Sequence, residues 1–209
     1  QTHEMFHVAE EMTRLSGYKG SELLEFIAPQ LKNSEEKSEI LKTDDLANLA
    51  KFRDNSLDNL INLQRLNDIK GINSFFRNVN KKLAPEGTFI GCVETLEQRK
   101  TRLFKKFPKG VNAIYYFFDF IFKRVFPKFK YSKKIYFFLT NGRNRALSKS
   151  EVLGRLAYCG FRISDVSEVN NMLYFKAIRH KKPLGEPEPS TGLILKINRI
   201  GRKGKPITV

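Results

Sequence analysis

A strand, a helix and a second strand follow one another directly between residues 57 and 95, and no other feature of this sequence restricts the fold as much. The strand-like runs are LDNLINLQRL (57–66) and GTFIGCVET (87–95). Between them, apolar side chains recur at helical spacing, at Ile69, Ile72, Phe75, Phe76 and Val79. A helix that joins two strands in this way is a crossover between parallel neighbours. The sequence therefore predicts an α/β fold with a mainly parallel sheet.

The sequence after this unit predicts a helix and an antiparallel hairpin. LSKSEVLGRLAYCGF (147–161) has a serine cap, an apolar face and Gly160 as its terminator. RISDVSEVNNMLYFKAIRH (162–180) contains two strand-like runs on either side of Asn170–Asn171, a pair that is typical of tight turns. We therefore expect the parallel sheet to end in an antiparallel hairpin.

The sequence before the unit predicts helices and one short strand. Residues 3–15 and 20–31 have helical spacing, and SEILKTDD (38–45) indicates a short strand that ends in two acids. Asp44 or Asp45 can cap a following helix, because a carboxylate at that position accepts hydrogen bonds from the first free backbone N–H groups.

Charge is distributed unevenly along the chain. The formal net charge is +16, and residues 99–149 hold fifteen Lys and Arg residues but a single acid, Asp119. Residues 1–98 carry sixteen acids and twelve bases, so the positive excess is local. Such an excess favours a polyanionic partner: an anionic membrane surface, a phosphorylated ligand or nucleic acid.

The cysteines and the apolar segments argue against several classes of protein. Cys92 and Cys159 have neither disulfide-type nor metal-type spacing, so we expect reduced thiols in the core and no metal site. No signal-peptide pattern opens the chain, and no window is apolar enough over about 18 residues to span a membrane. These features predict a cytoplasmic protein.

A basic aromatic insert, defined as residues 99–146, lies between the second strand and the late helix. Fourteen Phe and Tyr residues fall between positions 104 and 138. An apolar stripe at helical spacing runs through the centre of the insert, at Ile114, Phe117, Phe118, Ile121, Phe122 and Val125. The stripe has three interpretations: it packs on the sheet, it lies in a membrane interface, or it belongs to a nucleic-acid groove. The third is disfavoured, because the aromatic residues cluster with aliphatic ones and are not interleaved singly.

Under the membrane interpretation, aromatic and basic side chains of the insert contact the bilayer. The candidates are Tyr115, Tyr116, Phe120, Lys123, Arg124, Phe126, Lys128 and Lys130. Aromatic rings are favoured at the headgroup level, and each basic residue near an anionic surface contributes about 1 kcal/mol.

Residues 38–179 resemble the second half of a class I methyltransferase, a Rossmann-like family that uses S-adenosylmethionine. The residues that match the family's L-x-P-G-G turn and its late G-F pair are Leu83, Pro85, Glu86, Gly87, Gly160 and Phe161. The family's glycine-rich cofactor loop has no counterpart here. The resemblance therefore implies a partial or degenerate Rossmann-like methyltransferase fold, and we expect neither a bound cofactor nor catalytic residues.

An active methyltransferase is the alternative function. The resemblance places Asp44 and Asp45 at the end of the family's third strand, from which a side chain can reach the adenine. They are candidate cofactor-binding residues as well as candidate helix caps. In that case the cofactor is S-adenosylmethionine, and the substrate is a sugar or a lipid-linked intermediate.

GLILKINRIGRKGKPITV (192–209) resembles the opening of the cytosolic part of bacterial sugar transferases, the polyprenyl-phosphate glycosyl-1-phosphate transferases. The family's R-x-G-x-x-G-K-P-F pattern is matched by Arg199, Gly201, Gly204, Lys205 and Pro206. Two strands around a basic glycine turn predict a terminal β-hairpin, which is either a solvated basic turn or a phosphate site. The candidate phosphate-binding residues are Arg199, Arg202, Lys203 and Lys205. The resemblance implies that a catalytic domain begins here and continues past Val209.

These patterns divide the chain into a methyltransferase-like domain (1–180), a Pro/Gly linker (181–192) and the first strands of a sugar transferase domain (193–209). We expect an accessory, non-catalytic portion that positions a sugar-phosphate transferase of exopolysaccharide or capsule synthesis at the inner membrane face. The expected partners are an anionic membrane surface or polyprenyl phosphate, with a nucleotide sugar bound by the downstream domain.

Overall fold

The computed structural model describes residues 37–183 and the backbone of residues 198–200 and 206–208. The helices expected over residues 3–15 and 20–31 and most of the expected linker lie outside the described residues. The described part is a mixed α/β fold with six α-helices and a five-stranded sheet.

The bounds of several elements lie close to the sequence patterns, but β3 (Leu83–Val93) begins four residues before the predicted strand and includes Pro85 and Gly87. The helices that begin at Leu96 and Lys130 were not predicted. The strands of the main sheet are β1 (Ser38–Leu41), β2 (Leu57–Arg65), β3 (Leu83–Val93), β4 (Phe161–Val169) and β5 (Met172–Arg179). The helices are α1 (Leu46–Ala50), α2 (Ile72–Lys82), α3 (Leu96–Lys106), α4 (Val111–Phe120), α5 (Lys130–Thr140) and α6 (Lys149–Tyr158). A π-helical turn (Ile121–Val125) and a 3-10 turn (Phe126–Lys128) connect α4 to α5.

The main sheet has the order β1-β2-β3-β5-β4. β1, β2 and β3 are parallel, whereas β5 and β4 are antiparallel to their neighbours. The expected α/β fold, with a mainly parallel sheet and an antiparallel end, is thus confirmed. The crossover helix α2 joins the parallel pair β2 and β3, as the periodicity of its apolar residues predicts.

The core forms where α2 and α6 pack on one face of the sheet. Phe89 on β3 lies at its centre and is fully buried. The rings around it have centroids between 5.5 and 6.4 Å from that of Phe89 and belong to Phe75, Phe76, Phe161 and Phe175. Burial of aromatic side chains against one another is the largest apolar contribution to the stability of such a core.

Two sharp turns depend on residues in the left-handed region of φ. Asn170 and Asn171 have φ of 51° and 59° and close the β4–β5 hairpin, as their sequence predicts. Gly160 ends α6 with φ of 90°, and a Cβ there would lie 2.2 Å from the carbonyl oxygen of Lys181. Only glycine fits this position without displacing the backbone.

The position of β1 differs from the expectation. The resemblance equates β1 with the family's third strand, so β2, the next strand along the chain, would be the fourth. In the doubly wound order 3-2-1-4-5-6, two other strands lie between the third strand and the fourth. In the structure β1 pairs directly with β2, with Ile40 opposite Ile61. The three parallel strands of the described sheet therefore run in sequence order, without the reversal that opens a cofactor crevice in doubly wound folds.

The expected terminal hairpin is confirmed for the described backbone. β6 (Asn198–Ile200) pairs antiparallel with β7 (Pro206–Thr208), and Arg199 lies opposite Ile207.

Candidate functional site at the carboxyl edge of the sheet

Polar residues follow each of the three parallel strands. Asp44 and Asp45 follow β1, Asn67 and Asp68 follow β2, and Glu94 follows β3 directly. Because the carboxyl ends of parallel strands meet at one edge, these residues gather where α/β folds bind their ligands. This edge is the candidate functional site.

The loop that returns from the insert, residues 143–147, lies across this edge. The Arg143 guanidinium forms an ion pair of 3.0 Å with the Asp44 carboxylate, beyond the end of β1. The backbone N–H of Asn144 donates to Oδ1 of Asp68, at 3.0 Å, beyond the end of β2.

The same loop is fastened to the centre of the edge by Asn67, which is fully buried. Its side-chain amide donates to the carbonyl oxygens of Glu94 and Arg145, each at 2.8 Å, and accepts from the backbone N–H of Glu94, also at 2.8 Å. The backbone N–H of Leu96 donates to the carbonyl of Leu147 at 2.9 Å. The loop therefore spans the ends of all three parallel strands.

A buried ion network centred on Arg99 lies beside this loop. Arg99 is 1% exposed, and its guanidinium bonds Asp119 in a bidentate manner, at 2.6 and 3.0 Å. A third nitrogen, Nη1, donates to Glu94 at 3.2 Å and to Asn144 at 2.9 Å. Arg99 thus joins the end of β3, helix α4 and the returning loop, which makes it the link between the insert and the sheet.

Further contacts hold the insert in place around this network. Arg102 bonds Glu94 from the outer side, and Lys123 lies 2.7 Å from Asp119. The hydroxyl of buried Tyr136 donates to the carbonyl of Arg143 at 2.6 Å. Buried charges are tolerated only when they are paired and hydrogen-bonded, and each charge here meets that condition.

The pKa values of two carboxyl groups reflect this pairing. Burial alone would raise the pKa of Asp119, but hydrogen bonds from Arg99 and Lys123 outweigh it and hold the pKa below its usual value. Burial would also raise the pKa of Glu151, but Arg124 and Arg155 outweigh burial and hold that pKa below its usual value. A carboxyl whose pKa is lowered by folding stabilises the fold while it is ionised.

We expect the free energy of unfolding to change little between pH 7 and 5 and to fall below about pH 4. The sign follows from the lowered pKa values of Asp119 and Glu151 in the folded protein. These two carboxylates stabilise the fold fully above the pKa they have in the unfolded chain, and this stabilisation is lost as the pH falls through their pKa in the folded protein. Urea denaturation at a series of pH values measures the free energy of unfolding. An Asp119→Asn variant should lose less stability on acidification than the parent, and an equal loss in both proteins would contradict the assignment.

The residues at this edge do not fit S-adenosylmethionine within the described part of the chain. The turns after β1 and β3 have no glycine, and the turn after β2 has only Gly71. A Cβ on Gly71 would meet only the Cβ of Ser74, at an ordinary 3.6 Å, so no close approach of backbone is prepared there.

Both candidate cofactor acids already have partners within the protein. Asp45 is the N-cap of α1, and its side chain accepts a hydrogen bond of 2.9 Å from the N–H of Ala47, as its alternative interpretation predicts. Asp44 pairs with Arg143. A cofactor contact by Asp44 would have to replace that pair.

The aromatic candidates for membrane contact differ in how much of each side chain is exposed to solvent. Tyr115 is exposed, whereas Tyr116 and Phe120 are half-buried and stack at 6.1 Å between ring centroids. Phe126 is half-buried against Phe122, at 5.4 Å.

The structure changes the expectation for two of the basic candidates. Lys123 is paired with Asp119, and Arg124 bonds the Glu151 carboxylate and the Ala146 carbonyl. Both side chains face inward, because the lone acid of the insert and the first turn of α6 attract them. Lys128 is exposed, and the side chain of Lys130 is not among those that the structure describes.

The candidate phosphate residues lie beyond the part of the chain whose side chains the structure describes. Arg199 is placed in β6 by its backbone, and Arg202, Lys203 and Lys205 fall outside the described residues. Their role stays a prediction.

Neither cysteine belongs to a site in the described residues. Cys92 and Cys159 are free and buried, and burial raises the pKa of Cys92 to about 12. Over residues 37–183, no group of three His, Cys, Asp or Glu side chains could hold a metal ion.

Sequence reasoning missed the residues that fasten the insert: Asn67, Glu94, Arg99 and Asn144. One signal was present, because Asp119 is the single acid among fifteen basic residues and lies within an aromatic segment. A lone acid in such a place indicates a buried partner, since an unpaired charge would not be tolerated there.

The edge geometry and the strand order together define a mixed α/β domain whose carboxyl edge is covered by its own insert. Several solved structures align with part of this chain. No protein-family model and no curated protein matches the sequence.

Three of those structures are methyltransferases by their descriptions. An S-adenosylmethionine-dependent methyltransferase from Mesorhizobium loti is 15% identical over 61% of this chain and 64% of its own, with a TM-score of 0.38. A Bacillus halodurans protein assigned as a methyltransferase is 12% identical over 78% of this chain and 100% of its own, with a TM-score of 0.46. A SAM-dependent methyltransferase from Thermotoga maritima is 11% identical over 84% of this chain and 97% of its own, with a TM-score of 0.44.

At these identities the similarity concerns the fold alone. The chain spans less than two thirds of the length of the Mesorhizobium loti protein.

Proposed function

We propose that this chain is an accessory, non-catalytic methyltransferase-like portion of a sugar-phosphate transferase, which it positions at the inner face of the membrane. The observation that carries the non-catalytic role is the loop 143–147, which lies across the carboxyl ends of β1, β2 and β3. A ligand at this edge would have to displace paired charges and the buried hydrogen bonds of Asn67, and such groups are costly to leave unpaired.

The transferase part of the proposal is supported by the terminal sequence. RIGRKGKPITV matches the opening pattern of the sugar transferase family, and β6 and β7 form the hairpin that this pattern predicts. In this proposal the downstream domain binds the nucleotide sugar and passes the hexose-1-phosphate to polyprenyl phosphate. In the same proposal the cations of this segment bind a phosphate or a diphosphate.

We expect calorimetric titration of the chain with S-adenosylmethionine at millimolar concentration to give no binding heat. The physical reason is that the described edge offers no glycine turn to admit the ligand and holds its carboxylates in internal pairs. Saturable binding of the cofactor would overturn the non-catalytic proposal.

The second candidate function is methyl transfer dependent on S-adenosylmethionine, on a sugar or a lipid-linked intermediate. It is favoured by the resemblance of residues 38–179 to class I methyltransferases and by Asp44, which lies half-exposed at the carboxyl end of β1. The cofactor, when bound, would supply the methyl group, and Asp44 would be the residue to hold its adenosine.

A matched pair of variants separates the two functions. If the cofactor binds at this edge, Asp44→Asn weakens the binding, whereas Asp54→Asn does not. Asp54 is a suitable control because it also forms exposed ion pairs, with Lys81 and Lys82, but precedes β2 and so lies away from the carboxyl edge.

A further inference from the structure

Helix α4 buries polar residues and exposes apolar ones, which is the opposite of an ordinary surface helix; we call this arrangement the inversion. Its buried residues are Asn112 and Asp119, which lie seven positions apart and so share one face. Its exposed residues are the apolar ones: Val111, Ile114, Tyr115, Phe117 and Phe118, with 62% of Ile114 and 65% of Phe118 exposed. The first half of the predicted stripe therefore faces away from the sheet, which contradicts the interpretation that the whole stripe packs on it.

Helix α5 has the same arrangement. Tyr136 faces inward and is fully buried. The opposite face carries exposed apolar side chains at positions i, i+4, i+7 and i+8, which are Tyr131, Ile135, Phe138 and Leu139. Phe138 is 88% exposed and Tyr131 is 82% exposed, so the face is uncovered.

The inversion is fixed by the buried ion network and is not a matter of helix propensity. Asp119 can reach Arg99 only from the inner face of α4, and its bidentate bond sets the rotation of that helix. Rotating α4 to bury its phenylalanines would separate Asp119 from Arg99 and break this buried ion pair. The protein therefore maintains an apolar outer face on α4, and exposed apolar surface of this kind marks an interaction site.

The charge around this face identifies its partner. Residues 99–149 contain fifteen basic residues, and their single acid, Asp119, is buried. The exposed lysines of the insert include Lys105, Lys106, Lys109, Lys133 and Lys134. Among the described residues none of these five forms an ion pair, so their charge is available to an external anion.

We infer that the outer faces of α4 and α5, together with these lysines, form a docking surface for an anionic lipid bilayer. Exposed aromatic side chains beside unpaired cations are the combination that binds a helix in the plane of a membrane interface. Over the described residues no helix has the length and hydropathy to cross a bilayer. The inference rests on the proposed positioning role and names the partner of that role.

The test is co-sedimentation of the full chain with vesicles of equal parts phosphatidylglycerol and phosphatidylcholine, compared with phosphatidylcholine alone. We expect binding to the anionic vesicles that weakens as salt is added, because added ions screen the lysines. Phe117→Gln/Phe118→Gln and Phe138→Gln/Leu139→Gln should each lower the partition coefficient by about tenfold or more. Leu46→Gln is the matched control, because Leu46 is an exposed apolar residue on α1, outside the insert, and should bind like the parent.

Several results would overturn the inference. They are equal binding to both kinds of vesicle, no binding to either, and binding that the two double variants leave unchanged. Self-association that these variants abolish, or retention by an oligonucleotide in place of lipid, would assign the face to another partner and also overturn it. Cofactor binding is measured separately by calorimetry, so failure of vesicle binding and failure of the non-catalytic role are distinguishable.

Discussion

Arg99→Met is expected to lower the free energy of unfolding by about 3 to 5 kcal/mol, because it removes the buried cation that bonds two buried carboxylates and leaves them only the less buried Lys123 and Arg102. The Arg99 side chain is almost fully buried and bonds Asp119, Glu94 and Asn144 at once. Methionine fills much of the same volume but donates no hydrogen bond. Urea denaturation followed by circular dichroism measures the change.

Arg102→Met is the matched control for this prediction. Arg102 bonds the same carboxylate of Glu94, but its side chain is 44% exposed, so water compensates for its removal. We expect a loss of about 1 kcal/mol or less, as for exposed ion pairs. Equal losses in the two variants would show that the Arg99 network does not hold the insert on the sheet.

The main sheet could be predicted from the sequence because each of its elements carries a local signal. The periodicity of α2 between two strand-like runs predicts a parallel crossover, and the Asn170–Asn171 pair predicts the hairpin that ends the sheet. Gly160 could be identified as a helix terminator, because few other residues adopt its φ. Local propensity and tertiary structure agree at all of these positions.

The position of β1 could not be predicted, because strand order in a parallel sheet depends on contacts that are distant in sequence. A short strand such as SEIL carries no information about its neighbour. The resemblance equated it with a third strand, whereas its backbone pairs with β2 and Asn62 of β2 bonds the backbone of Thr43 just beyond its end. Such side-chain to backbone contacts select one register among several that hydrophobicity alone allows.

The candidate site was predictable only in part, for a related reason. A helix cap was predicted at Asp44 or Asp45, since capping depends on residues close in sequence, and Asp45 is the cap. The Arg99 network joins residues up to 50 positions apart, from Glu94 to Asn144. Helical periodicity predicted the apolar stripe but left open whether it packs on the sheet or lies at another surface. On α4 the desolvation cost of Asp119 and Arg99 without each other outweighs the gain from burying a few phenylalanines.

Phenylalanine thus has two roles in this chain: Phe89 is buried in the core, and Phe138 is exposed on the outer face of α5. Substitutions at the two positions should have different effects on stability. Phe89→Ala is expected to lower the free energy of unfolding by about 3 to 5 kcal/mol, because it opens a cavity where four other rings converge. Phe138→Ala should change it by about 0.5 kcal/mol or less, because that ring is 88% exposed and contributes little to the core.

Thermal and urea denaturation of both variants provide the measurement, and vesicle binding provides the complementary one. A folded Phe89→Ala protein should keep its lipid affinity, whereas Phe138→Ala should keep its stability and bind anionic vesicles more weakly. If Phe138→Ala were as destabilising as Phe89→Ala, the outer face of α5 would be packed against part of the protein itself. The apolar surface of the insert would then belong to the core, and no partner would be required to explain it.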